Sequence, residues 1–365
     1  MQTVQVGLED RGYTIEVGHD IMAQLGAYCT PLQLGRQVAV LTDKHVAGHY
    51  LTTVSASLKT AGYEVLEVIF DGGDGAKHLQ TMDAIFGQLI EAELDRSAWI
   101  CALGGGVVGD MSGFVAATFL RGIAYVQVPT TIVSQVDASI GGKTAVNHRL
   151  GKNLIGAFHQ PRLVYIDTAA LHSLPRRELV GGLAEIVKHA LIRDAELFAF
   201  LEEHIEDIVE RRLDAQELDW LIARNVQIKA TVIEADEKEG GLRAILNYGH
   251  TVGHAIEAAA EYQYRHGEAV ILGMIAAGQI AVARNLWPQE ARRRQDDLLA
   301  RLGIPQGLTA VSVERIVERT HADKKRVGGK SKFILPRQIG RVEIIEGIDD
   351  DEVRASVEYV QKNHP

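Results

Sequence analysis

Three short segments late in the chain, Gly182-Leu-Ala-Glu185-Ile-Val-Lys188, Asn247-Tyr-Gly-His250-Thr-Val-Gly-His254-Ala-Ile-Glu257 and His266-Gly-Glu268, hold one carboxylate and three imidazoles of the kind that collect a divalent metal. His250 and His254 stand four apart in an apolar-periodic stretch, so a helix puts both on one face. The spacing recurs in zinc hydrolases, but those need Glu directly after the first His as general base, and here that position is Thr251. Metal chemistry other than zinc-hydrolase hydrolysis is the expectation.

A second signal lies upstream. Trp99 to Leu103 reads as a buried strand and runs into Gly104-Gly-Gly106-Val-Val-Gly109-Asp110, followed by a helical pattern to Leu120. Gly104, Gly106 and Gly109 fit a dinucleotide fingerprint, in which missing side chains let backbone N–H groups and a helix N-terminus approach a pyrophosphate. The stretch roughly 20 residues on, Val126 to Thr131, supplies no acid for an adenosine ribose. Asp43 and Asp74 are the candidates for that role. Asp137-Ala-Ser-Ile-Gly141-Gly-Lys143-Thr144 ends like a P-loop but has Asp137 where the motif requires glycine, which argues against an NTPase.

These residues need a scaffold, and 365 residues suggest about two domains. Up to Leu174, β-rich runs (Tyr13 to Val17, Val38 to Leu41, Glu64 to Phe70, Trp99 to Leu103, Ala124 to Val128, Leu163 to Asp167) alternate mostly with helical patterns, the mark of a parallel sheet flanked by helices. After Pro175 the periodicity turns helical over 178–192, 196–210, 215–233, 249–262 and 268–285. The expected fold class is an α/β N-terminal nucleotide-binding domain, Rossmann-like, over 1–174, followed by a mostly α-helical metal- and substrate-binding domain over 175–365.

Composition excludes several classes. Cys29 and Cys101 cannot build a disulfide framework, so a reducing compartment, by default the cytoplasm, is expected. The N-terminus lacks a signal pattern, and the apolar run from Ala269 to Gly278 is too short to span a bilayer, so no membrane role is expected. A net charge of -10 argues against nucleic-acid binding, and Arg292 to Arg294 read as a solvated helix face. Arg121, Lys143, Lys152, Lys188, Lys229 and Arg243 nevertheless sit beside glycine-rich or apolar sequence, a placement suited to a pocket for a small anion. His45, His49, His148, His159 and His172 carry no constellation and read as structural.

Gly104-Gly-Gly-Val-Val-Gly-Asp110, Pro129-Thr-Thr131, Gln135-Val-Asp-Ala-Ser-Ile-Gly-Gly-Lys-Thr144, Gly151-Lys-Asn153, Glu185-Ile-Val-Lys188 and Leu246 to Glu257 are long, ordered motifs covering nearly the full length. Through them the chain resembles the 3-dehydroquinate synthase family of the sugar phosphate cyclase superfamily. The resemblance implies a homodimer, tightly held NAD, one Zn2+ (or Co2+) ion, and a sugar-phosphate substrate, 3-deoxy-D-arabino-heptulosonate 7-phosphate. It implies Glu185, His250 and His266 as metal ligands, with His254 near the leaving phosphate and handling protons. Asp43, Asp74, Lys77, Gly105, Gly106, Val107, Val108, Gly109, Asp110, Thr130, Thr131, Lys143, Lys152 and Ser173 would line the NAD site. Lys229 and Arg243 would hold the substrate carboxylate. Lys143, Asn153, Asn247 and Lys324 or Lys325, with Lys325 preferred, would surround the phosphate, joined by Arg121 reaching the neighbouring subunit's site. Asp137 and Lys188 would contact ring hydroxyls. One departure stands out: the family has Gly-Glu-x-x-Lys where this chain has Gly73-Asp74-Gly-Ala-Lys77. The rival readings are a sugar phosphate cyclase with another substrate, an NAD- and metal-dependent alcohol or glycerol dehydrogenase, and a non-catalytic nucleotide-binding or scaffold protein.

Overall fold

The computed structural model describes residues 1–261, 263–303, 308–324 and 332–363. The chain divides into two compact units, Met1–Leu174 with Asp214–Glu234, and Pro175–Leu213 with Ala235–Pro365.

The first unit is built on seven strands: β1 (Gln2–Val6), β2 (Tyr13–Gly18), β3 (Gln37–Asp43), β4 (Glu64–Phe70), β5 (Trp99–Gly104), β6 (Ala124–Pro129) and, later in the chain, β9 (Leu163–Asp167). Their order in the sheet is β1-β2-β9-β6-β5-β3-β4, parallel except for the β1/β2 pair. A parallel sheet covered on both faces needs apolar residues at every position, and β5 is buried throughout. Its period of two still sorts the side chains. Val38, Val40, Trp99, Cys101 and Leu103 enter the core on one face, while Ala39, Leu41 and Ile100 join Met111 and Val115 of helix Gly106–Thr118 on the other.

Between β6 and β9 the chain forms an antiparallel hairpin, β7 (Lys143–His148) and β8 (Gly151–Phe158). Lys143 therefore opens a strand, whereas a P-loop lysine opens a helix. The expected strand and helix runs are present, but β1 and this hairpin had no counterpart among them.

The second unit carries helices Arg176–Arg193, Ala195–Val209, His250–Ala259, His266–Ala283, Gln289–Leu302, Val313–Lys324 and Asp350–Asn363, with a ribbon of β10 (Lys332–Gln338) and β11 (Arg341–Glu346). Two details differ from expectation. Helix Ala215–Ala235 lies almost wholly in the first unit, where Thr168 Oγ1 donates to Asp219 Oδ1 at 2.7 Å and the Gly7 N–H to Glu234 Oε1 at 2.6 Å. Residues 175–365 are thus not one body. The Arg292 to Arg294 run is not uniformly solvated either, because Arg292 is buried, donates to the Tyr359 hydroxyl and lies 4.9 Å over its ring.

Helix His266–Ala283 is the core of this unit. By length and composition alone it could cross a membrane, more than the shorter apolar run suggested, but 78% of that span is buried by its neighbours. Glycines allow this. A Cβ on Gly267 would fall 1.9 Å from the Gly181 carbonyl oxygen, and one on Gly273 would fall 1.9 Å from that of Gly249. A Cβ on Gly181 would meet only the Gly267 Cα, at 3.9 Å. Gly267→Ala and Gly273→Ala should each lose on the order of 2–4 kcal/mol of stability by steric overpacking, whereas Gly181→Ala stays near wild type. Urea unfolding of the three variants checks the asymmetry, and equal effects at Gly181 and Gly267 would refute it.

Candidate active site: a metal-ligand cluster and a dinucleotide cradle

Glu185 lies in helix Arg176–Arg193 with no solvent exposure. Its Oε2 accepts from Lys188 Nζ, one turn on. Its Oε1 is buried and has no hydrogen-bond partner among the described residues. That oxygen instead faces Nε2 of His250 at 3.6 Å and Nε2 of His266 at 3.4 Å. An orphaned buried carboxylate oxygen is costly unless a positive group joins it.

His250 opens helix His250–Ala259, with Nδ1 3.1 Å from the Tyr248 carbonyl. His266 opens helix His266–Ala283, with Nδ1 3.3 Å from Glu257 Oε2. His254 follows His250 by one turn. Its ring centroid is 5.2 Å from that of His250 and 5.5 Å from that of His266, and the three imidazoles offer donor atoms within 4.8 Å of one another. The N/O donor set suits Zn2+ or Co2+, and the orphaned oxygen among imidazole nitrogens is what a cation would satisfy.

The electrostatics of the cluster are unequal. Burial works to raise the Glu185 carboxyl, but Lys188, then His250 and His266, outweigh it and hold it well below the usual range. Burial, reinforced by Lys188, takes His250 down to about 3. At His266 burial acts in the same direction, yet the facing carboxylates of Glu185 and Glu257 prevail and raise it to about 10.

Nearby, Asp236 accepts N–H groups of Gly240, Gly241 and Arg243 at 2.8, 2.7 and 2.9 Å, shaping the turn that carries Arg243. Arg243 is buried, with Nη1 donating to the Glu237 carbonyl. Asn247 Nδ2 lies 3.4 Å from Glu239 Oε1. Lys325 lies outside the described residues, as does the side chain of Lys324.

In the first unit β5 delivers Gly104 and Gly105 to the start of helix Gly106–Thr118, whose Val107, Val108, Gly109 and Asp110 follow in the first turns. Thr130 donates its N–H to the Gly104 carbonyl at 3.0 Å, and Thr131 pairs with Ser134. Lys77 Nζ bridges Asp110 Oδ2 and Asn153 Oδ1, both at 2.5 Å. Burial raises the Asp110 carboxyl despite Lys77. Asp74 pairs with Lys152 at 2.5 Å, and Asn147 connects Asp74 to the Asn153 N–H. Lys229 Nζ donates to both the carbonyl and Oδ1 of Asp137. Asp43 caps a helical turn by accepting N–H groups of His45 and Val46. Ser173 Oγ lies 2.6 Å from the Tyr50 hydroxyl. Lys143 and Arg121 are exposed, and Arg121 holds a left-handed φ of 72°.

Asn147, Tyr248 and Glu257 carry contacts that no sequence motif assigned to them. Glu257 had a usable signal, because seven residues after His250 it occupies the same helical face. Tyr248 is fully buried, and its hydroxyl donates to Gln295, whose amide lies 3.3 Å from Asp296 Oδ1. Burial raises the Asp296 carboxyl to about 6. A folded value above the ordinary 3.8 means folding favours the protonated acid. Its ionised form therefore opposes folding fully above pH 6, and the penalty fades as pH falls toward the unfolded value. Asp296→Asn should gain up to about 3 kcal/mol at pH 7.5 and roughly half of that at pH 5. Urea midpoints across that range check the sign.

Two family models together span residues 67 to 326: 3-dehydroquinate synthase N-terminal over residues 67–181 and 3-dehydroquinate synthase C-terminal over 182–326. A 3-dehydroquinate synthase of Nostoc punctiforme is 46% identical over 353 residues, covering 96% of this chain and 97% of the relative. Among solved structures, ValA, a 2-epi-5-epi-valiolone synthase of Streptomyces hygroscopicus with NAD+ and Zn2+ bound, superimposes with a TM-score of 0.89 at 29% identity, covering 96% of this chain and 97% of its own. A 2-deoxy-scyllo-inosose synthase complexed with carbaglucose-6-phosphate, NAD+ and Co2+ gives 0.88 at 27% identity, covering 98% and 99%.

Proposed function

From the premise that this chain belongs to the 3-dehydroquinate synthase family, we propose that it converts 3-deoxy-D-arabino-heptulosonate 7-phosphate to 3-dehydroquinate and inorganic phosphate, a step of the shikimate pathway. The observation that carries the metal-dependent part is the orphaned Glu185 Oε1, met by Nε2 of His250 and His266. The cyclases of similar fold carry NAD+ with Zn2+ or Co2+, and the same cofactors are assigned here.

Glu185, His250 and His266 would hold the metal, and the turn from Gly104 to Asp110 with Asp74, Lys77, Thr130, Thr131, Lys152 and Ser173 would hold NAD. When bound, NAD would supply a transient hydride acceptor and the metal would polarise substrate oxygens, so that oxidation, phosphate elimination, reduction and intramolecular aldol closure occur with no net redox change. The chain's own residues orient the substrate. Lys229 and Arg243 hold its carboxylate. Lys143, Asn153 and Asn247 surround its phosphate, joined in a homodimer by Arg121 reaching the neighbouring subunit's site. Asp137 and Lys188 set the ring hydroxyls, and the His254 imidazole, exposed beside buried His250 and half-buried His266, exchanges a proton near the departing phosphate. Such catalysis is mostly orientation and charge placement, in a lyase expected in the cytoplasm.

Phosphate release with substoichiometric NAD tests the reading, using chelator-treated enzyme before and after adding zinc. Zinc-dependent release far exceeding the NAD present, without NADH accumulation, is expected. Accumulating NADH would indicate a dehydrogenase, and no phosphate would point to a cyclase with another substrate. His250→Ala should lose both metal and turnover while the chain stays folded; full activity with stoichiometric metal in that variant would overturn the ligand assignment. Arg243→Ala should raise KM for substrate by roughly a hundredfold or more, the cost of removing a charged partner, and leave NAD binding nearly unchanged. Unaltered substrate kinetics would remove Arg243 from the site.

A further inference from the structure

We propose that Glu257 is the positioning residue that fixes the His266 ring in the tautomer presenting Nε2 for metal ligation. The proposal rests on the metal reading above and adds a residue to it.

A neutral imidazole carries its proton on one nitrogen and its ligating lone pair on the other, so whatever holds the proton decides which atom can bind metal. Glu257 lies in helix His250–Ala259, only 7% exposed. Its Oε2 is 3.3 Å from His266 Nδ1, across to the start of another helix. Both ring nitrogens face a carboxylate oxygen, but Glu185 is itself a proposed ligand whose oxygen would turn to the metal, so in the metal-bound ring the proton stays on Nδ1, where Glu257 accepts it. Nε2, 3.4 Å from the orphaned Glu185 Oε1, is left as the ligating atom. His250 shows the same arrangement by another route, with Nδ1 3.1 Å from the Tyr248 carbonyl and Nε2 directed at the same carboxylate oxygen. Two imidazoles from different helices are thus each anchored at Nδ1 by an oxygen and converge through Nε2. For His266 the anchor is a side chain, so substitution can remove it.

The test uses the full-length chain with saturating NAD. Chelator competition gives the Zn2+ dissociation constant, and the visible absorption of the Co2+-loaded chain reports ligand geometry. Glu257→Ala should weaken Zn2+ about 10- to 100-fold, the usual consequence of removing a partner behind a ligand, and alter the Co2+ bands. Glu257→Gln, whose amide oxygen still accepts from Nδ1–H, should recover most of both. His266→Ala is the control. If it loses metal while Glu257→Ala keeps wild-type affinity and spectrum, the positioning role is overturned. If His266→Ala itself keeps wild-type affinity, the metal reading fails and the proposal with it. Nitrogen-15 NMR of the zinc-loaded wild-type chain needs no variant: a His266 proton on Nδ1 is expected, and a proton on Nε2 would overturn the assignment.

Discussion

Helix His266–Ala283 meets two neighbours at distances that only a missing side chain permits, and the chemistry of the second unit depends on those crossings. Gly267 lies against the Gly181 carbonyl, one turn before Glu185, and Gly273 lies against Gly249, directly before His250. Each glycine pair sits within a turn or two of a proposed ligand. Inserting a methyl group at Gly267 would push His266 away from a carboxylate oxygen that its Nε2 now approaches to 3.4 Å. A separation of an ångström or more would dissolve the cluster long before it unfolded the helices, because interiors transmit such displacements with little give. Site geometry and helix packing are therefore one constraint here.

The second requirement is that charge be neutralised where it is buried. Glu185 has Lys188, Asp110 has Lys77, Asp137 has Lys229, and Glu268 takes a bidentate pair from Arg177 at 2.6 and 2.7 Å. Isolated ions at such depth would cost several kcal/mol each. The pairing explains how an acidic chain of net charge -10 keeps cationic groups beside its glycine-rich turns. Local partners, not the overall balance, set the field at these positions.

Much of this was legible in the sequence because the signals were local. The parallel strands read as short β-rich runs, and the helix carrying His250 and His254 read through its apolar period, since spacing of four on a helix fixes which side chains are neighbours. The tertiary features were not legible. Helix Ala215–Ala235 looked like its helical neighbours, and only its bonds to Thr168, Asp137 and Gly7 assign it to the first unit. The β7/β8 hairpin was hidden behind a motif that resembled a phosphate loop. Arg292 looked solvated because its neighbours Arg293 and Arg294 are basic, whereas its partners, Tyr359 and Asp296, lie elsewhere in sequence or behind a polar run. Glu257 was in plain view and was passed over, since its meaning depends on the ring nitrogen it faces.

The cations assigned to substrate already rest on oxygens of this chain. Lys229 donates to Asp137, Arg243 to the Glu237 carbonyl and Lys188 to Glu185, while Asn153 gives its side-chain oxygen to Lys77. If these residues hold substrate as proposed, an incoming carboxylate or phosphate would exchange with, or join, those contacts, and its affinity would reflect the difference between old and new partners, not the full strength of a fresh ion pair. The exchange shapes selectivity. On the proposed assignment a sugar phosphate without a carboxylate would leave Lys229 on Asp137 and Arg243 on Glu237, so discrimination at these two residues would arise from the surplus that a well-placed carboxylate adds. Asn153 differs, because its oxygen accepts from Lys77 and its amide N–H2 is the end that would face a phosphate on the proposed assignment. On the proposed assignment Asn153 would offer a preset donor, whereas Lys229 and Arg243 would be drawn from existing partners.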